Sequence, residues 1–232
     1  TASAVLSAPS YDENYFLYLS SGTWSLIGVE NKEPILTTES KEANFTNEGG
    51  YEHRFRFLKN IMGLWMIQSI RHEYNDAYSF AELCEMAKEN TDFPSRVDVN
   101  DDMFLSPDNM TKAVQNYCKD TGQKVPETIG ELAAVVYQSL AICYKKAIKN
   151  LEGIAGKTYN SIHIIGGGSN AAYLNQLTAN ETGKKIYAGP SEASAIGNML
   201  AQMIRNEEFT SLQNARICVF YSFDIKNYLP EK

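Results

Sequence analysis

Two stretches rich in glycine and hydroxyl groups carry the residues best suited to hold a phosphate. Gly166-Gly167-Gly168-Ser169-Asn170 follows the apolar run Ile162-His163-Ile164-Ile165 and stands where a helix should open. Glycines let a backbone approach a ligand closely, and a helix N-terminus adds free N–H groups and a positive dipole end. Gly166, Gly168 and Ala171 also satisfy the G-x-G-x-x-A spacing of dinucleotide-binding loops, a weak signal by itself. The other reading is a turn that only seats a strand on a helix. Ser20-Ser21-Gly22-Thr23 lies between two β-forming runs, so its hydroxyls could face a phosphate or merely close a hairpin. Gly156-Lys157-Thr158 is not a Walker A loop, because Leu151 stands where its first glycine is required. Gly153 and Gly156 read instead as helix-exit glycines.

Asn60 could hold a sugar hydroxyl or cap a helix, and Gln68 falls about two turns further along the same expected helix. His72-Glu73 and the Asp98, Asp101, Asp102 cluster fall at a helix end and in a loop, and read as solvated surface. His53, His72 and His163 lack ligand spacing, and Cys84, Cys118, Cys143 and Cys218 form no close pair. Neither a zinc site nor a disulfide framework is expected; the cysteines read as small core hydrophobes of a cytoplasmic protein. The residues themselves offer no convincing general base.

A frame of strands and helices must position these groups. Alternating and aromatic runs predict strands over 15–19, 24–29, 34–38 and 51–57. Spacing of three and four predicts helices over 58–70 and 80–88, then a loop over 90–109 and a helix from Met110 to Thr121-Gly122. Pro126 opens the longest helix, with Ile129, Leu132, Val136, Leu140, Tyr144 and Leu151 on one face. Strand 161–165, helix 170–181, strand 184–188 and helix 191–204 follow, which is the order of an α/β fold. The tail, 220–232, carries no clear pattern.

The 232 residues suffice for one large domain or a lobe of something bigger. With 21 Lys and Arg against 28 Asp and Glu, the net charge of −7 argues against nucleic-acid and anionic-membrane partners. The longest apolar run, 61–67, falls far short of the roughly 20 residues that cross a bilayer. Thr1 is not a methionine and the start is not that of a signal peptide, so a fragment of a longer chain is expected.

Taken in order, several segments resemble the C-terminal lobe of the FGGY carbohydrate kinases. They are Tyr18-Leu19-Ser20-Ser21-Gly22-Thr23-Trp24, Thr46-Asn47-Glu48-Gly49-Gly50, the Gly166 loop with Leu174-Asn175-Gln176-Leu177, and Gly189-Pro190-Ser191-Glu192-Ala193. Asn60-Ile61-Met62-Gly63-Leu64-Trp65 points within that family to the kinases of L-rhamnulose. The resemblance spans residues 1 to about 212 and implies an actin-like, RNase H-like α/β lobe. It has an N-terminal hairpin region, long helices and a Gly-rich strand-loop-helix, set over 1–215, with 216–232 unassigned.

The resemblance also implies roles. Thr23 becomes a nucleotide-phosphate contact and Gln68 a nucleotide contact. Gly167 lines an adenosine pocket with Gly166, Gly168 and Ser169 beside it. Asn60 and Thr1 become substrate contacts. The catalytic base, an Asp, is expected one residue upstream of Thr1, and no metal ligand falls on this chain. ATP and Mg²⁺ are the implied cofactors, a ketose the substrate, and an N-terminal lobe of the same chain the partner, so the fragment alone should be inactive. The alternatives are kinases of L-fuculose, xylulose or glycerol, a non-catalytic actin-like nucleotide-binding module, and a dinucleotide-dependent oxidoreductase.

Overall fold

A computed structural model describes residues 1–11 and 16–231; Tyr15, expected in the first strand, and Lys232 lie outside them. The order is α1 (Ala2–Leu6), β1 (Phe16–Ser21), β2 (Trp24–Asn31), α2 (Thr38–Glu42), β3 (Thr46–Gly49) and β4 (Phe55–Met62). Helices α3 (Trp65–Glu73), α4 (Phe80–Glu89), α5 (Met110–Asp120) and α6 (Ile129–Ala155) follow. The chain closes with β5 (Ser161–Ile165), α7 (Ala172–Thr182), β6 (Lys185–Ala188), α8 (Ala193–Arg205), α9 (Leu212–Ser222) and β7 (Lys226–Tyr228).

The seven strands form one sheet in the order β3-β4-β2-β1-β5-β6-β7. Its centre is parallel, with β1 beside β5 and β5 beside β6, while β2, β4, β3 and β7 pair antiparallel. Side chains alternate across the sheet, so each face has its own core. Leu17, Leu19, Ile27, Val29, Phe57 and Ile61 join the larger core built on α6. Phe16, Tyr18, Leu58 and Ile165 pack with Val5, Ala8 and Ala193 on the opposite face.

Helix α6 starts where local chemistry dictates. The Thr128 hydroxyl accepts from the Glu131 N–H, and the Glu131 carboxylate accepts from the Thr128 N–H. Pro126 therefore precedes the helix by three residues instead of opening it. Gly156 ends it at φ 61°, a left-handed conformation that a glycine adopts without strain.

Three expected elements differ. Residues 58–62 belong to β4, and the helix begins only at Trp65, because Leu58 and Ile61 are buried on opposite faces of the sheet. Residues 34–38 form no strand: the Asn47 side chain bonds both the N–H and the carbonyl of Ile35, substituting for a neighbouring strand. Residues 51–53 form a short 3-10 turn, so the fourth expected strand starts at Phe55. Among the cysteines, Cys84 and Cys118 are buried, but Cys143 is half-buried and Cys218 exposed. No helix of the described residues is long and apolar enough to cross a membrane.

The tail is integral to the sheet, with β7 covering the β6 edge. Arg216 of α9 is wholly buried and donates to the carbonyls of Val5 and Leu6 and to the Glu30 carboxylate of β2. Helix α8 approaches α1 so closely that a Cβ on Gly197 would lie 1.6 Å from the Ser3 carbonyl oxygen.

His163 on β5 is buried between Phe16, edge-on at 4.9 Å, and Tyr187, stacked at 4.8 Å. Burial, reinforced by Arg216 and Lys185, pushes its pKa down to about 3. The unfolded chain takes up this proton near pH 6.5 and the folded chain does not, so stability is lost as pH falls from about 6.5 towards 3. Urea unfolding should show a loss of about 1 kcal/mol per pH unit from this group in that window. His163→Phe should flatten that dependence, and an unchanged slope in the variant would refute the assignment.

Candidate functional site

The β1–β2 turn is fixed by the start of α3. The Leu64 and Trp65 N–H groups donate to the carbonyls of Gly22 and Thr23, each at 3.0 Å. Two of the amides that a helix start leaves without partners are thereby satisfied. One turn on, Gln68 Oε1 accepts from Thr23 Oγ1 at 3.1 Å, in a half-open position at the rim. Gly63 makes the approach possible, since a Cβ there would lie 2.5 Å from Ser25 Oγ.

The Gly-rich loop meets the same turn from the other side. Gly166 takes φ 87°, and its N–H donates to the Pro190 carbonyl at 3.0 Å. A Cβ on Gly168 would stand 1.9 Å from Ser21 Oγ, so the loop and the hairpin touch with no room for a side chain. Gly167 differs: it is exposed, and a Cβ there would meet nothing within 4 Å. Ser169 is buried, and its carbonyl accepts from Asn175 Nδ2 at 2.9 Å, which braces the loop on α7.

Between turn and loop lies a cavity of about 300 Å³. Gly22, Gln68, Gly167 and Gly168 form its polar rim, while Leu64, Ile67, Phe80, Ala81 and Tyr137 build an apolar slot. Burial drives the Tyr137 hydroxyl pKa far up, so that wall stays neutral. Among the described residues no lysine or arginine lines the cavity; backbone N–H groups, the Thr23 hydroxyl beside it and the carboxamides of Gln68 and Asn170 are the groups positioned to meet an anion. A second cavity of about 280 Å³ lies beyond the loop, between Ser169, Pro190, Glu192 and the tail residues Phe223, Asp224 and Lys226.

Thr23, Gln68, Gly166, Gly167 and Gly168 thus gather at one place, with Ser169 just behind. Asn60 and Thr1 do not line that cavity. Asn60 is exposed on β4, opposite Leu26, not on the helix with Gln68 as its spacing suggested. Its face of the sheet is the one that carries α1, where exposed Thr1 stands as N-cap. The sequence alone missed Gly63 and Tyr137; the single usable signal was Tyr137 and Tyr144, seven residues apart on a helix. Glu73 caps α5 by accepting from the Met110 and Thr111 N–H groups, and Asp98 and Asp101 accept from amides in their own turns. Among the described residues no group of three or more His, Cys, Asp or Glu could hold a metal ion.

A sequence profile described as the C-terminal domain of the FGGY family of carbohydrate kinases matches residues 17–205. The chain belongs to that family. The rhamnulokinase of Halalkalibacterium halodurans is 52% identical over 229 residues, covering 99% of this chain and 48% of the relative. That of Bacillus subtilis is 50% identical over 231 residues, covering 100% of this chain and 47% of the relative. The chain spans about half the length of these curated relatives. Among solved structures, the xylulose kinase of Rhodospirillum rubrum superposes with TM-score 0.68 at 14% identity, over 99% of this chain and 45% of the other. The glycerol kinase of Plasmodium falciparum, solved with ADP, gives 0.69 at 12% identity, over 99% and 46%. These FGGY kinases share the fold, the actin-like ATPase architecture.

Within this FGGY lobe, the steric contrast between two neighbouring glycines is testable. Gly168→Ala should lower the thermal midpoint by about 5 °C or more, since overpacking against Ser21 costs roughly 1–3 kcal/mol. Gly167→Ala, facing open space, should leave it within about 1 °C. Equal melting of the two variants would refute the close approach.

Proposed function

We propose that this chain is the ATP-binding C-terminal lobe of a kinase that transfers the γ-phosphate of MgATP to the 1-hydroxyl of L-rhamnulose. The observation that carries the nucleotide part is the convergence of the Thr23–Gln68 pair with Gly167 and Gly168 on the rim of one slot. The sugar is taken from the rhamnulokinases that this chain matches along its whole length.

ATP supplies the transferable phosphoryl group. The apolar walls of Leu64, Ile67, Phe80 and Tyr137 exclude water from the base, a setting in which a few fixed dipoles act strongly. Thr23 Oγ1, which donates to Gln68 in the free protein, is placed to turn its hydrogen towards a phosphate oxygen. Backbone N–H groups of the Gly-rich loop approach the same charge without a side chain between. Mg²⁺ would be bound chiefly by the nucleotide's own phosphates and water. Asn60 and Thr1, on the α1 face, hold the ketose. An Asp directly before Thr1 takes its proton, and an N-terminal lobe closes over it. The setting is cytoplasmic, where the four thiols stay reduced.

Full-length protein should release ADP fastest with L-rhamnulose when L-rhamnulose, L-fuculose, D-xylulose and glycerol are offered with MgATP. Thr23→Val should raise KM for ATP about tenfold and leave that for the ketose unchanged, and Asn60→Ala should do the reverse. Turnover on none of the four sugars would leave the family and remove this function.

A further inference from the structure

Helix α6 places two tyrosines, seven residues and about two turns apart, beneath the nucleotide loops. Tyr137 forms a wall of the slot. Tyr144 is fully buried in the larger core. Phenylalanine would fill the same space, so packing alone gives its hydroxyl no purpose. A buried hydroxyl without a partner is destabilising, and here the partner is part of the site.

Tyr144 Oη lies 2.7 Å from Ser25 Oγ. Ser21 and Ser25 face each other as the last paired residues of the β1–β2 hairpin, one on either side of the turn that carries Gly22 and Thr23. Each serine hydroxyl is seated against a glycine. Ser21 Oγ occupies the space a Cβ on Gly168 would need, and Ser25 Oγ the space a Cβ on Gly63 would need. The Gly-rich loop, the hairpin turn and the start of α3 therefore meet at two hydroxyls of one strand pair, and a phenol from α6 holds one of them, Ser25. Burial raises the phenol pKa far above neutrality, so it stays a neutral hydrogen-bonding group.

We infer that Tyr144 is a positioning residue for nucleotide binding, acting through Ser25 and its strand partner Ser21 to fix the spacing between Thr23 and Gly168. The role rests on the kinase reading proposed above. The phenol touches no ligand. It removes the freedom of the hairpin base, so Thr23 Oγ1 and the Gly-rich backbone face a phosphate already in register and need little ordering on binding.

The test uses Tyr144→Phe and Ser25→Ala, singly and together, in the full-length protein. Each single variant should raise KM for ATP about five- to tenfold, keep KM for the ketose within about twofold, and melt within a few degrees of wild type. The double variant should be no worse than either single one, because both remove the same bond. Hydrogen exchange gives a readout that needs no ligand. The Gly22, Leu64 and Trp65 amides, which bond to the carbonyls of Trp24, Gly22 and Thr23, should exchange faster in Tyr144→Phe while α6 stays protected. An equal rise in both KM values, additive variants, or a wild-type KM for ATP in both singles would overturn the inference. If Tyr144→Phe does not fold, Ser25→Ala alone decides it by the same measures. Wild-type protein without ATP affinity, together with a loop that still loosens in Tyr144→Phe, would sink the kinase reading and this role with it. ATP binding by wild type with an unresponsive loop would sink the role of Tyr144 alone.

Discussion

Parallel pairing of β1 with β5 is the constraint on which the site depends. In the register Ser20↔Ile165 the two strands end together, and the segments leaving them start as neighbours at strand spacing, about 4.8 Å apart. At that distance Ser21 and Gly168 can both be present only if one of them lacks a side chain. Antiparallel pairing does the rest. With Trp24 opposite Met62, the chain leaving β4 arrives at the hairpin turn, and α3 can place its first amides on the Gly22 and Thr23 carbonyls. Three segments distant in sequence thus reach one edge of the sheet, the edge where open α/β sheets gather ligands.

An acidic protein that handles phosphate is physically consistent on these terms. Net charge governs long-range attraction, whereas the slot works at contact range with fixed dipoles in an apolar setting. The absence of a basic side chain from the rim leaves the charge of a ligand to be balanced by hydrogen bonds and by what the ligand brings. Rigid geometry matters more in such a site than in one built on lysines, because a dipole displaced by 1 Å loses much of its effect.

Much of this was written in local signals. The hairpin, the glycine loop, α4, α5 and the β5-to-α8 run follow from turn residues and periodicity, and of the residues named by resemblance Gln68, Gly167 and Gly168 line one cavity, with Thr23 bonded to Gln68. Strand β4 was hidden because both its faces are covered: Leu58 and Ile61 lie on opposite sides, so the alternation that marks a half-buried strand disappears and helical spacing appears in its place. Asn60 and Gln68 were put on one helix for that reason. Residues 34–38 looked like a strand and behave like one at Ile35, but their partner is the Asn47 side chain, which no propensity encodes. Strand β7 has only three residues, and its pairing with β6 defines it. Tyr144 was visible only as one more large residue on an apolar helix face. Its hydroxyl gains meaning from Ser25, 119 residues earlier in the chain.

Arg216 and Glu30 stand 186 residues apart in sequence. During synthesis the carboxylate emerges first, and at 5–20 residues per second its guanidinium partner follows roughly 10 to 40 s later. Burying a carboxylate without a partner is costly, so the Arg216 link between β2 and the α1 carbonyls forms only after α9 has left the ribosome. Until then the first third of the chain lacks this contact. It is the stretch a nascent-chain chaperone would meet, and termination anywhere before α9 would leave it without its counter-charge.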